Sequence, residues 1–456
     1  MKKMGDGKFY QADISQYMGD EVVKKKILLI TPENQEINRF RKSQFNNFIQ
    51  ITMPYLAAFI DENKYEITLV DEYNQRVPFE EEFDLVAITI NTSNATHCYN
   101  ISKKFKNKNT KVVMGGPHAT LLPEEVKKHC DYIMVGEGEI IWPEFLDDYY
   151  EDKAKSEYIC KEVPNLKNMP IARRDLIYKR YFTKGAVISS RGCPYKCSYC
   201  NLKQIYCEPF RTRPIKEVIS EINTIKSKFF VFWDDNFFGD INFAKELLIE
   251  LKKNNKKWAA QVTLERCKDE ELLKLAKEAG CVYLFVGIES FSQDSLGSVN
   301  KGINDVNKYN SIIDKIHNSG ICVQAGIIFG FDTDKKDVFK KTLDACNELG
   351  IDGATVSILT PLPKTPVYSQ LKEENRLIIG DWSYYNGKTR VAFVPKNMSR
   401  EELFEGYMWF RREFYSFKSI YKRMRKSKTN IIYNLIVNLG YKISLNGTKS
   451  KFEYWE

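Results

Sequence analysis

The strongest constraint on the fold of this chain is that short apolar runs alternate with helix-like segments in two separate series. The runs of the first series, within residues 24–150, are Lys26–Ile30, Glu66–Val70, Leu85–Ile90, Lys111–Met114 and Tyr132–Val135. Strands that alternate with helices form βαβ units and a parallel sheet. This series predicts a doubly wound α/β sheet, whose ligands bind at the carboxyl ends of the strands.

A second series of apolar runs follows after an irregular segment. Its six runs cover residues 186–190, 228–234, 258–263, 282–288, 322–329 and 353–359. Six β/α units make three-quarters of a TIM-type barrel, where chemistry lies at the carboxyl ends of the strands. We therefore predict four parts: a sheet domain (1–150), a linker without regular pattern (151–185), a partial barrel (186–360) and a mostly helical extension (361–456).

The overall composition limits the compartment and the partners. The chain has 456 residues, of which 43% are hydrophobic, so it can bury large cores. The N-terminal residues lack the apolar region of a secretory signal, and no run of about 18 apolar residues occurs. We expect a cytoplasmic protein without a membrane span. A lysine-rich surface accounts for the net charge of +9, so no nucleic-acid partner is expected.

Three closely spaced cysteines carry the chemistry. Cys193, Cys197 and Cys200 follow the first apolar run of the second series, at the carboxyl end of a predicted strand. Three thiolates can hold three irons of a [4Fe–4S] cluster and leave the fourth iron open, whereas electron-transfer clusters normally use four cysteines. Zinc usually takes four ligands in paired spacing, and no second pair is present. The spacing therefore predicts a cluster with one open iron.

With Tyr199 before the last cysteine, this pattern resembles that of the radical SAM family. The resemblance implies that the open iron binds the amino and carboxylate groups of S-adenosylmethionine. One electron then cleaves this molecule to a 5′-deoxyadenosyl radical. Other strand ends resemble family elements, with Glu289 placed for the ribose hydroxyls and Gly326–Gly330 for the adenine. The implied contacts to S-adenosylmethionine are Tyr199, Asp235, Asn236, Glu289, Ser290, Ile328 and Gly330.

The first series resembles the cobalamin-binding domain that precedes the barrel in one radical SAM subclass. The chain is thus identified as a member of the radical SAM family with a cobalamin (B12)-binding domain. This implies a flavodoxin-like sheet, a partial (β/α)6 barrel and a helical extension. The implied cobalamin contacts are Asn91, Ser93, Gly115, Gly116, Pro117, His118, Gly136 and Glu137.

One loop departs from the pattern of many cobalamin proteins. They supply a histidine from the loop after the first strand, but Thr31–Asn38 has none. Cobalt would then have no imidazole from this loop as its lower ligand, and a vestigial domain that binds nothing is the alternative. His118 is the nearest substitute, or else a hydrogen-bonding residue of its own loop.

The resemblance implies a radical enzyme, with a [4Fe–4S] cluster, S-adenosylmethionine and cobalamin, that methylates an unactivated carbon. Alternatives are a cobalamin-dependent rearrangement, cyclisation or carbon–carbon coupling, and a non-enzymatic cobalamin or redox sensor. The substrate stays open among small molecules, peptides and lipids. The expected electron donor is a protein such as flavodoxin or ferredoxin.

The C-terminal part holds a basic segment, residues 411–440, in which Lys and Arg are mixed with aromatic and aliphatic residues. Such a segment can lie on anionic lipid. More often it packs its apolar face on the protein and leaves its lysines in water, which is the interpretation we favour here. Ser399 and Glu402 form a capping-box pattern, so we expect a helix after Arg400 that packs on the barrel.

Overall fold

The structure is a computed structural model that describes residues 23–40, 48–178, 181, 183–206, 210–378, 380–427, 429 and 431–446. Two six-stranded parallel sheets and one two-stranded antiparallel ribbon form its framework. The strands are β1 Lys25–Thr31, β2 Tyr65–Asp71, β3 Leu85–Thr89, β4 Lys111–Gly115, β5 Tyr132–Val135, β6 Glu157–Ile159, β7 Ala186–Val187, β8 Ser190–Gly192, β9 Phe210–Thr212, β10 Phe229–Phe232, β11 Lys257–Thr263, β12 Cys281–Glu289, β13 Cys322–Phe329 and β14 Gly353–Ile358.

The helices fill the connections between these strands and form the C-terminal part. They are α1 Gln35–Phe40, α2 Thr52–Ala57, α3 Ala95–Lys106, α4 Pro117–Leu121, α5 Pro123–Val126, α6 Gly138–Tyr150, α7 Leu202–Ile205, α8 Ile215–Thr224, α9 Ile241–Leu251, α10 Glu270–Glu278, α11 Gln293–Ser298, α12 Tyr309–Asn318, α13 Val338–Leu349, α14 Pro366–Glu373, α15 Arg400–Phe414, α16 Phe417–Lys426 and α17 Ile431–Asn446.

The first sheet has the strand order β2-β1-β3-β4-β5-β6 and is parallel throughout. Its β1 strand is apolar on both faces, as expected for a sheet covered on both sides. Ile27 and Leu29 pack into one core, and Leu28 and Ile30 pack into the core on the opposite face. The strand order reverses between β1 and β3, which is where doubly wound sheets bind ligands. The predicted doubly wound sheet is confirmed.

The sixth strand was not visible in the sequence. Glu157–Ile159 pairs with β5, inside the segment for which the sequence showed no regular pattern. Only Tyr158 of its three residues is buried. An edge strand of this length is too short to produce a periodic pattern, so only the pairing with β5 reveals it.

The second sheet runs in the order β14-β13-β12-β11-β10-β7, with every strand beside its predecessor in the sheet. Sequential parallel strands with helices outside form a partial (β/α)6 barrel, which confirms the predicted architecture. The first strand is shorter than predicted, because the backbone of Ser189 and Ser190 leaves the ladder. Both amide N–H groups donate to the carboxylate of Asp234, with 2.8 Å from Ser189 N to Asp234 Oδ1.

The C-terminal helices pack on the barrel. Helix α15 begins with the predicted capping box: Glu402 N donates to Ser399 Oγ (3.2 Å), and Ser399 N donates to Glu402 Oε2 (2.9 Å). Its buried face joins the barrel core through Leu403, Tyr407, Phe410 and Phe414. The expected packing after Arg400 is therefore observed. In the described parts of the chain, no helix is both long and apolar enough to cross a membrane.

The basic segment differs from expectation at one position. Lys418, Lys422 and Lys426 are exposed as predicted, while Lys428 lies outside the described residues. Arg423, in contrast, is buried and donates to the carbonyl oxygens of Ile351 (2.7 Å), Asp352 (3.1 Å) and Phe414 (2.7 Å). Burial lowers the pKa of Arg423 to about 10. This arginine fixes α16 to the barrel.

Candidate functional site

The three cysteines lie on the loop after strand β8. All three are free thiols and partly exposed. The loop is held at both sides, because Ser198 N donates to Val299 O (2.9 Å) and Asn300 Nδ2 donates to Lys196 O (2.9 Å). Cys200 N donates to Cys197 O (3.1 Å) and closes a tight turn between the two cysteines. The loop conformation is thus set by contacts with the turn after α11.

The surroundings of the thiols suit metal coordination. Burial raises the pKa of Cys193, and it raises the pKa of Cys200 to about 12, with further contributions from the neighbouring thiolates. A coordinated metal holds such thiols deprotonated.

Two residues at the end of β10 contact the cysteine loop. Asn236 is buried, donates through Nδ2 to Cys193 Sγ (3.7 Å) and accepts from Thr263 N (3.2 Å). Asp235 accepts from Gly192 N through Oδ2 (2.9 Å), and burial raises its pKa. The sequence placed both residues at the S-adenosylmethionine site, and the structure places them beside the first cysteine.

Asp234 anchors the strand that leads to the loop. Its carboxylate is buried and accepts hydrogen bonds from the backbone and hydroxyl groups of Ser189 and Ser190. Burial raises the pKa of Asp234 to about 7, against the lowering effect of these hydrogen bonds. Sequence reasoning missed this role, because the serines and the aspartate are more than 40 residues apart in the chain.

Glu289, at the end of β12, has a strained backbone. Its φ is +65°, a conformation that costs energy for residues other than glycine and is concentrated at functional sites. Its carboxylate folds back over Gly287, where an added Cβ would lie 2.5 Å from Glu289 Oε1. Burial raises the pKa of Glu289, while Lys301 and Tyr199 oppose this effect. Tyr199 is thereby placed between Glu289 and the cysteines.

Lys301 is a site residue that the sequence reasoning missed. It is 5% exposed, and its Nζ lies 3.6 Å from Glu289 Oε1. Burial lowers its pKa, but the charges of Glu289 and of the three cysteine thiolates outweigh burial and raise the pKa overall. A buried lysine is rare unless it is paired. In the sequence, only its position after α11 sets Lys301 apart from other lysines. That position becomes informative only once the fold is known.

The other predicted S-adenosylmethionine contacts lie at the same end of the barrel. Ser290 is buried and accepts through Oγ from Ser292 N (3.1 Å). Ile328 lies on β13, and Gly330 follows it with a φ of +105°. An added Cβ on Gly330 would lie 2.9 Å from Leu403 Cδ2. Glycine at 330 is therefore needed for the approach of α15.

The predicted cobalamin residues lie at the carboxyl edge of the first sheet. Asn91 is exposed and Ser93 is partly exposed. The loops on either side of the reversal in strand order are joined, since Asn34 Nδ2 donates to Ser93 O and Asn94 Nδ2 donates to Pro32 O (3.2 Å). Gly115, Gly116, Pro117 and Gly136 are also partly exposed. This edge offers backbone and hydroxyl groups to a ligand.

The protein's own structure requires glycine at positions 116 and 136. Both have positive φ, +112° and +92°. An added Cβ would lie 3.1 Å from Ile90 O at Gly116 and 2.9 Å from Cys160 Cβ at Gly136. A larger residue at either position would disturb the protein before it touched any ligand, so these glycines are not clean probes of a corrin.

His118 is enclosed within the protein. It is 0% exposed, its Nδ1 lies 3.2 Å from Thr92 Oγ1, and its ring meets Trp382 edge-on at 5.3 Å. The approach of His118 Nε2, 3.6 Å from Glu125 Oε1, together with the hydrogen bonds of Tyr99 and Trp382, lowers the pKa of Glu125 to about 2. All four histidines lie in the described parts of the chain: His97 bonds Glu72 (2.7 Å), His129 stacks on Tyr99, and His317 bonds Asp352 (2.9 Å).

Glu137 joins the first sheet to the cysteine loop. Its buried carboxylate is 2.7 Å from Arg191 Nη1 and 2.6 Å from Arg211 Nη2. Arg191 also pairs with Glu139 (2.5 Å) and lies two residues before Cys193. The predicted cobalamin residue Glu137 thus makes ion pairs with the β8–β9 ribbon that precedes and follows the cysteine loop.

A large cavity extends through the barrel from the cysteine end. Its volume is about 940 Å³. One part is lined by Asp234 and Asp235, and another part is lined by Ile436, Val437 and Tyr441 of α17. The remaining lining is mainly apolar and aromatic, with Thr52, Gln261, Gln324, Thr355, Lys388, Arg411 and Ser444 as polar exceptions. Apolar walls with a few polar groups are typical of ligand pockets.

The donor sets fit the implied cofactors. Three partly exposed thiols suit a cluster with an open iron, and the buried pair of Glu289 and Lys301 offers both charges to a zwitterionic ligand. At the edge of the first sheet, Asn91, Ser93 and the Gly115–Pro117 backbone are accessible, whereas the four histidines are engaged elsewhere.

Family models agree with this division of the chain. Residues 187–366 match the radical SAM superfamily, residues 46–146 match the B12 binding domain, and residues 365–438 match a domain of unknown function, DUF4070.

Curated relatives cover most of the chain. Bacteriochlorophyllide d C-12(1)-methyltransferase of Chlorobaculum tepidum is 29% identical over 443 residues, 93% of this chain and 95% of the relative. Hopanoid C-2 methylase of Rhodopseudomonas palustris is 26% identical and covers 74% of this chain and 66% of its own length.

Solved structures share the fold. The cobalamin-dependent S-adenosylmethionine radical enzyme OxsB, with aqua-cobalamin and S-adenosylmethionine bound, has a TM-score of 0.69 at 14% identity, over 93% of this chain and 72% of OxsB. The radical S-adenosylmethionine methyltransferase TsrM of Kitasatospora setae has a TM-score of 0.62 at 17% identity, over 77% of this chain and 78% of TsrM. The chain therefore belongs to the radical SAM family with a B12-binding domain, and is an enzyme whose cofactors are a [4Fe–4S] cluster, S-adenosylmethionine and cobalamin.

Proposed function

We propose that this enzyme methylates an unactivated carbon of a bulky, mostly apolar substrate. The observation that carries this proposal is the cavity of about 940 Å³ that begins at Asp235, beside the cysteine loop, and extends to α17. Its apolar lining would hold a hydrophobic molecule, and Gln261 and Gln324 would orient it through hydrogen bonds. Two relatives that support the proposal are named as methylating enzymes of bacteriochlorophyllide and hopanoid molecules.

The residues of this chain have distinct roles in the proposal. Cys193, Cys197 and Cys200 would hold the cluster, and Asn236 would orient Cys193. Glu289, paired with Lys301, would bind the hydroxyls of S-adenosylmethionine, and Lys301 would also face its carboxylate. The cluster, when bound, supplies the electron that cleaves S-adenosylmethionine, and cobalamin supplies the methyl group. The cavity walls would exclude water and hold one carbon of the substrate near this end of the barrel.

The remaining assignments belong to the same proposal. Further S-adenosylmethionine contacts would come from Tyr199, Asp235, Ser290, Ile328 and Gly330. Cobalamin would contact Asn91, Ser93 and the Gly115–Pro117 backbone, without an imidazole lower ligand. The division at residues 150, 185 and 360 would separate the first domain, linker, barrel and extension, with strand β6 of the linker added to the edge of the first sheet. A flavodoxin or ferredoxin would supply the electron.

A cyclisation without methyl transfer is the second candidate function. A relative named anaerobic magnesium-protoporphyrin IX monomethyl ester cyclase, from Cereibacter sphaeroides, is 27% identical over 345 residues, 68% of this chain and 56% of its own length. The name of this relative supports ring formation on a bulky substrate as the second candidate. Transfer of a methyl group distinguishes the two candidates.

The test uses anaerobically purified and reconstituted protein. We expect four irons and one cobalamin per chain. After reduction, with methyl-labelled S-adenosylmethionine and a panel of tetrapyrroles and isoprenoids, we expect 5′-deoxyadenosine and a labelled product. The Cys193→Ala, Cys197→Ala, Cys200→Ala triple variant is the inactive control.

Each other outcome points elsewhere. If 5′-deoxyadenosine forms and a product appears without label, the enzyme performs a rearrangement or cyclisation. If an intact reduced cluster yields no 5′-deoxyadenosine with any acceptor, the protein is a sensor and the proposal fails.

A further inference from the structure

Helices α16 and α17 expose large hydrophobic side chains on one surface, which we call the α16–α17 face. It comprises Phe417, Tyr421, Ile432, Leu435, Ile436 and Ile443, with exposed fractions of 68%, 64%, 72%, 40%, 58% and 68%. Single exposed apolar residues are ordinary, but a contiguous set marks an interaction surface. Lys442 Nζ lies 4.4 Å from the ring centre of Phe417, so the two helices share this face.

Helix α17 turns two asparagines toward the protein. Asn434 and Asn438 are buried. Asn434 donates to the carboxylate of Asp352, and Asn438 Nδ2 donates to Asp352 O (2.8 Å). Asn438 Oδ1 accepts from Arg423 (2.9 Å). The same inward side also carries apolar residues that pack against the barrel core, so α17 is apolar on both sides. The buried hydrogen bonds fix which of these sides faces outward.

The outward residues of α17 form a continuous row. Ile432, Ile436 and Ile443 are four and seven residues apart, a spacing that places them on one side of a helix. Leu435 lies beside them, and all four are exposed. Because the asparagines hold the helix, this row cannot rotate inward without breaking the buried hydrogen bonds. The row needs an apolar partner from outside the described residues.

The charge around the face is mainly positive, although Asp344 and Glu348 of α13 line one groove together with residues of α16. Between Phe414 and Asn446 the sequence contains no Asp or Glu. Lys418, Lys422, Arg425 and Lys426 are exposed on α16. Aromatic and aliphatic residues flanked by cations are the pattern of helices that lie in the interface of an anionic membrane. A protein partner would have to be both acidic and apolar at the same place.

The face is continuous with the cavity. Ile436 belongs to the exposed row and also lines the cavity, together with Val437, Tyr441, Ser444 and Leu445 of the same helix. One side of α17 thus borders the cavity while the adjoining side is exposed. A molecule held at the apolar row would be next to the cavity without crossing a polar surface.

We propose that the α16–α17 face docks on the surface of an anionic lipid bilayer, from which an apolar substrate enters the cavity beside α17. The inference deepens the proposed function and rests on its apolar substrate. Attachment is peripheral: α17 lies in the headgroup region, with its isoleucines toward the acyl chains and the lysines of α16 on lipid phosphates. The sequence alone favoured solvated lysines, but the inward asparagines of α17 favour the membrane.

The test is flotation of the full chain in a sucrose gradient. Two types of vesicle are compared, one of phosphatidylcholine alone and one of phosphatidylcholine with 30% phosphatidylglycerol. We expect the protein to float with the anionic vesicles at 0.1 M salt and to be released at 0.5 M salt. Each basic residue near such a surface adds about 1 kcal/mol. A quadruple variant should therefore lower the partition coefficient at least 100-fold. It combines Lys418→Gln, Lys422→Gln, Arg425→Gln and Lys426→Gln.

A second variant tests the apolar row. A triple serine variant should lower the partition coefficient at least tenfold, because the apolar area that enters the interface is lost. It combines Ile432→Ser, Leu435→Ser and Ile443→Ser. The matched control is Ile249→Ser, which changes a 51% exposed isoleucine on α9 and should bind as the wild type does. The wild type and the triple serine variant should form equal amounts of 5′-deoxyadenosine without substrate. This measurement separates the membrane test from the test of the proposed function.

Three results would overturn the inference. The first is wild-type protein that stays at the bottom of the gradient with anionic vesicles. The second is a dimer in sedimentation velocity that the triple serine variant dissociates, since the face would then pair with a second copy. The third is flotation only after deletion of residues 447–456 or 1–22, because a segment of the chain itself would then cover the face.

Discussion

At the scale of single residues, the site depends on charged groups that are taken out of water and balanced by one another. Lys301 is buried and Glu289 is largely buried, and each is stabilised by the other. Removing one member of such a pair leaves an uncompensated charge, which costs more than the pair gains. The two residues are therefore expected to act together on a ligand that carries both charges.

Replacing Lys301 should weaken the binding of S-adenosylmethionine. In Lys301→Met the buried ammonium group is lost, and a charge-assisted hydrogen bond is worth roughly tenfold in affinity or more. We expect at least a tenfold higher Kd by equilibrium dialysis on reconstituted protein, with unchanged iron content. Lys301→Arg should recover part of the affinity, and Lys308→Met, at an exposed position, is the control. Unchanged affinity in Lys301→Met together with a lower Tm would assign Lys301 to stability alone.

Asp234 should make stability depend on pH. Its folded-state pKa is about 7, above its value of 3.8 when unfolded. Between these values the folded state holds a proton on Asp234 that the unfolded state lacks, so the contribution of Asp234 to stability is greatest below pH 4 and falls as pH rises to 7, by up to about 1.4 kcal/mol per pH unit. Relative to the wild type, Asp234→Asn should flatten the Tm profile from pH 5 to 7.5. Glu124→Gln, at an exposed position, is the reference variant. If Tm changes with pH equally in the wild type and in Asp234→Asn, Asp234 does not have this role.

At the scale of elements, local signals start the helices and buried polar contacts orient them. The capping box sets the first turn of α15, whereas the orientation of α17 is fixed by Asn434 and Asn438. The first is a pattern of four residues along the chain. The second requires Asp352, which is more than 80 residues away.

Removing the cap should loosen the start of α15 without unfolding the barrel. Ser399→Ala loses an N-cap hydrogen bond, which costs about 1 kcal/mol. Hydrogen exchange of amides in the first turn of α15 should accelerate about fivefold. Ser311→Ala, on the exposed side of α12, should leave exchange in its helix within twofold. Equal protection of α15 in wild type and Ser399→Ala would show that packing of Leu403 and Tyr407 holds the turn by itself.

At the scale of the whole molecule, the two sheets are joined by charges next to the chemistry. Glu137 of the first sheet binds Arg191 and Arg211 of the barrel side. A second buried contact joins Tyr55 with Glu221 (2.8 Å), and Glu221 in turn binds Arg213 (2.6 Å). The edge that would hold cobalamin is thereby fixed relative to the cysteine loop.

Breaking the first contact should affect both stability and the cluster. Glu137→Ala leaves two largely buried arginines with reduced compensation, a loss of about 3 kcal/mol. We expect a lower Tm and less iron retained after gel filtration, because Arg191 lies two residues before Cys193. Glu124→Ala removes a carboxylate that is 84% exposed and should change neither quantity. Full iron retention in Glu137→Ala would mean that the cysteine loop is held by its other contacts alone.

The sequence by itself determined the fold class, the cysteine loop and most strands. These follow from periodicity and spacing, which depend on residues close in the chain. Only the tertiary structure decided the partner of Glu289, the ion pairs of Glu137, the burial of Arg423 and the direction in which α17 turns its isoleucines. Each of these depends on charged or polar groups from distant segments that meet in a low-dielectric interior, and no local pattern records which groups will meet.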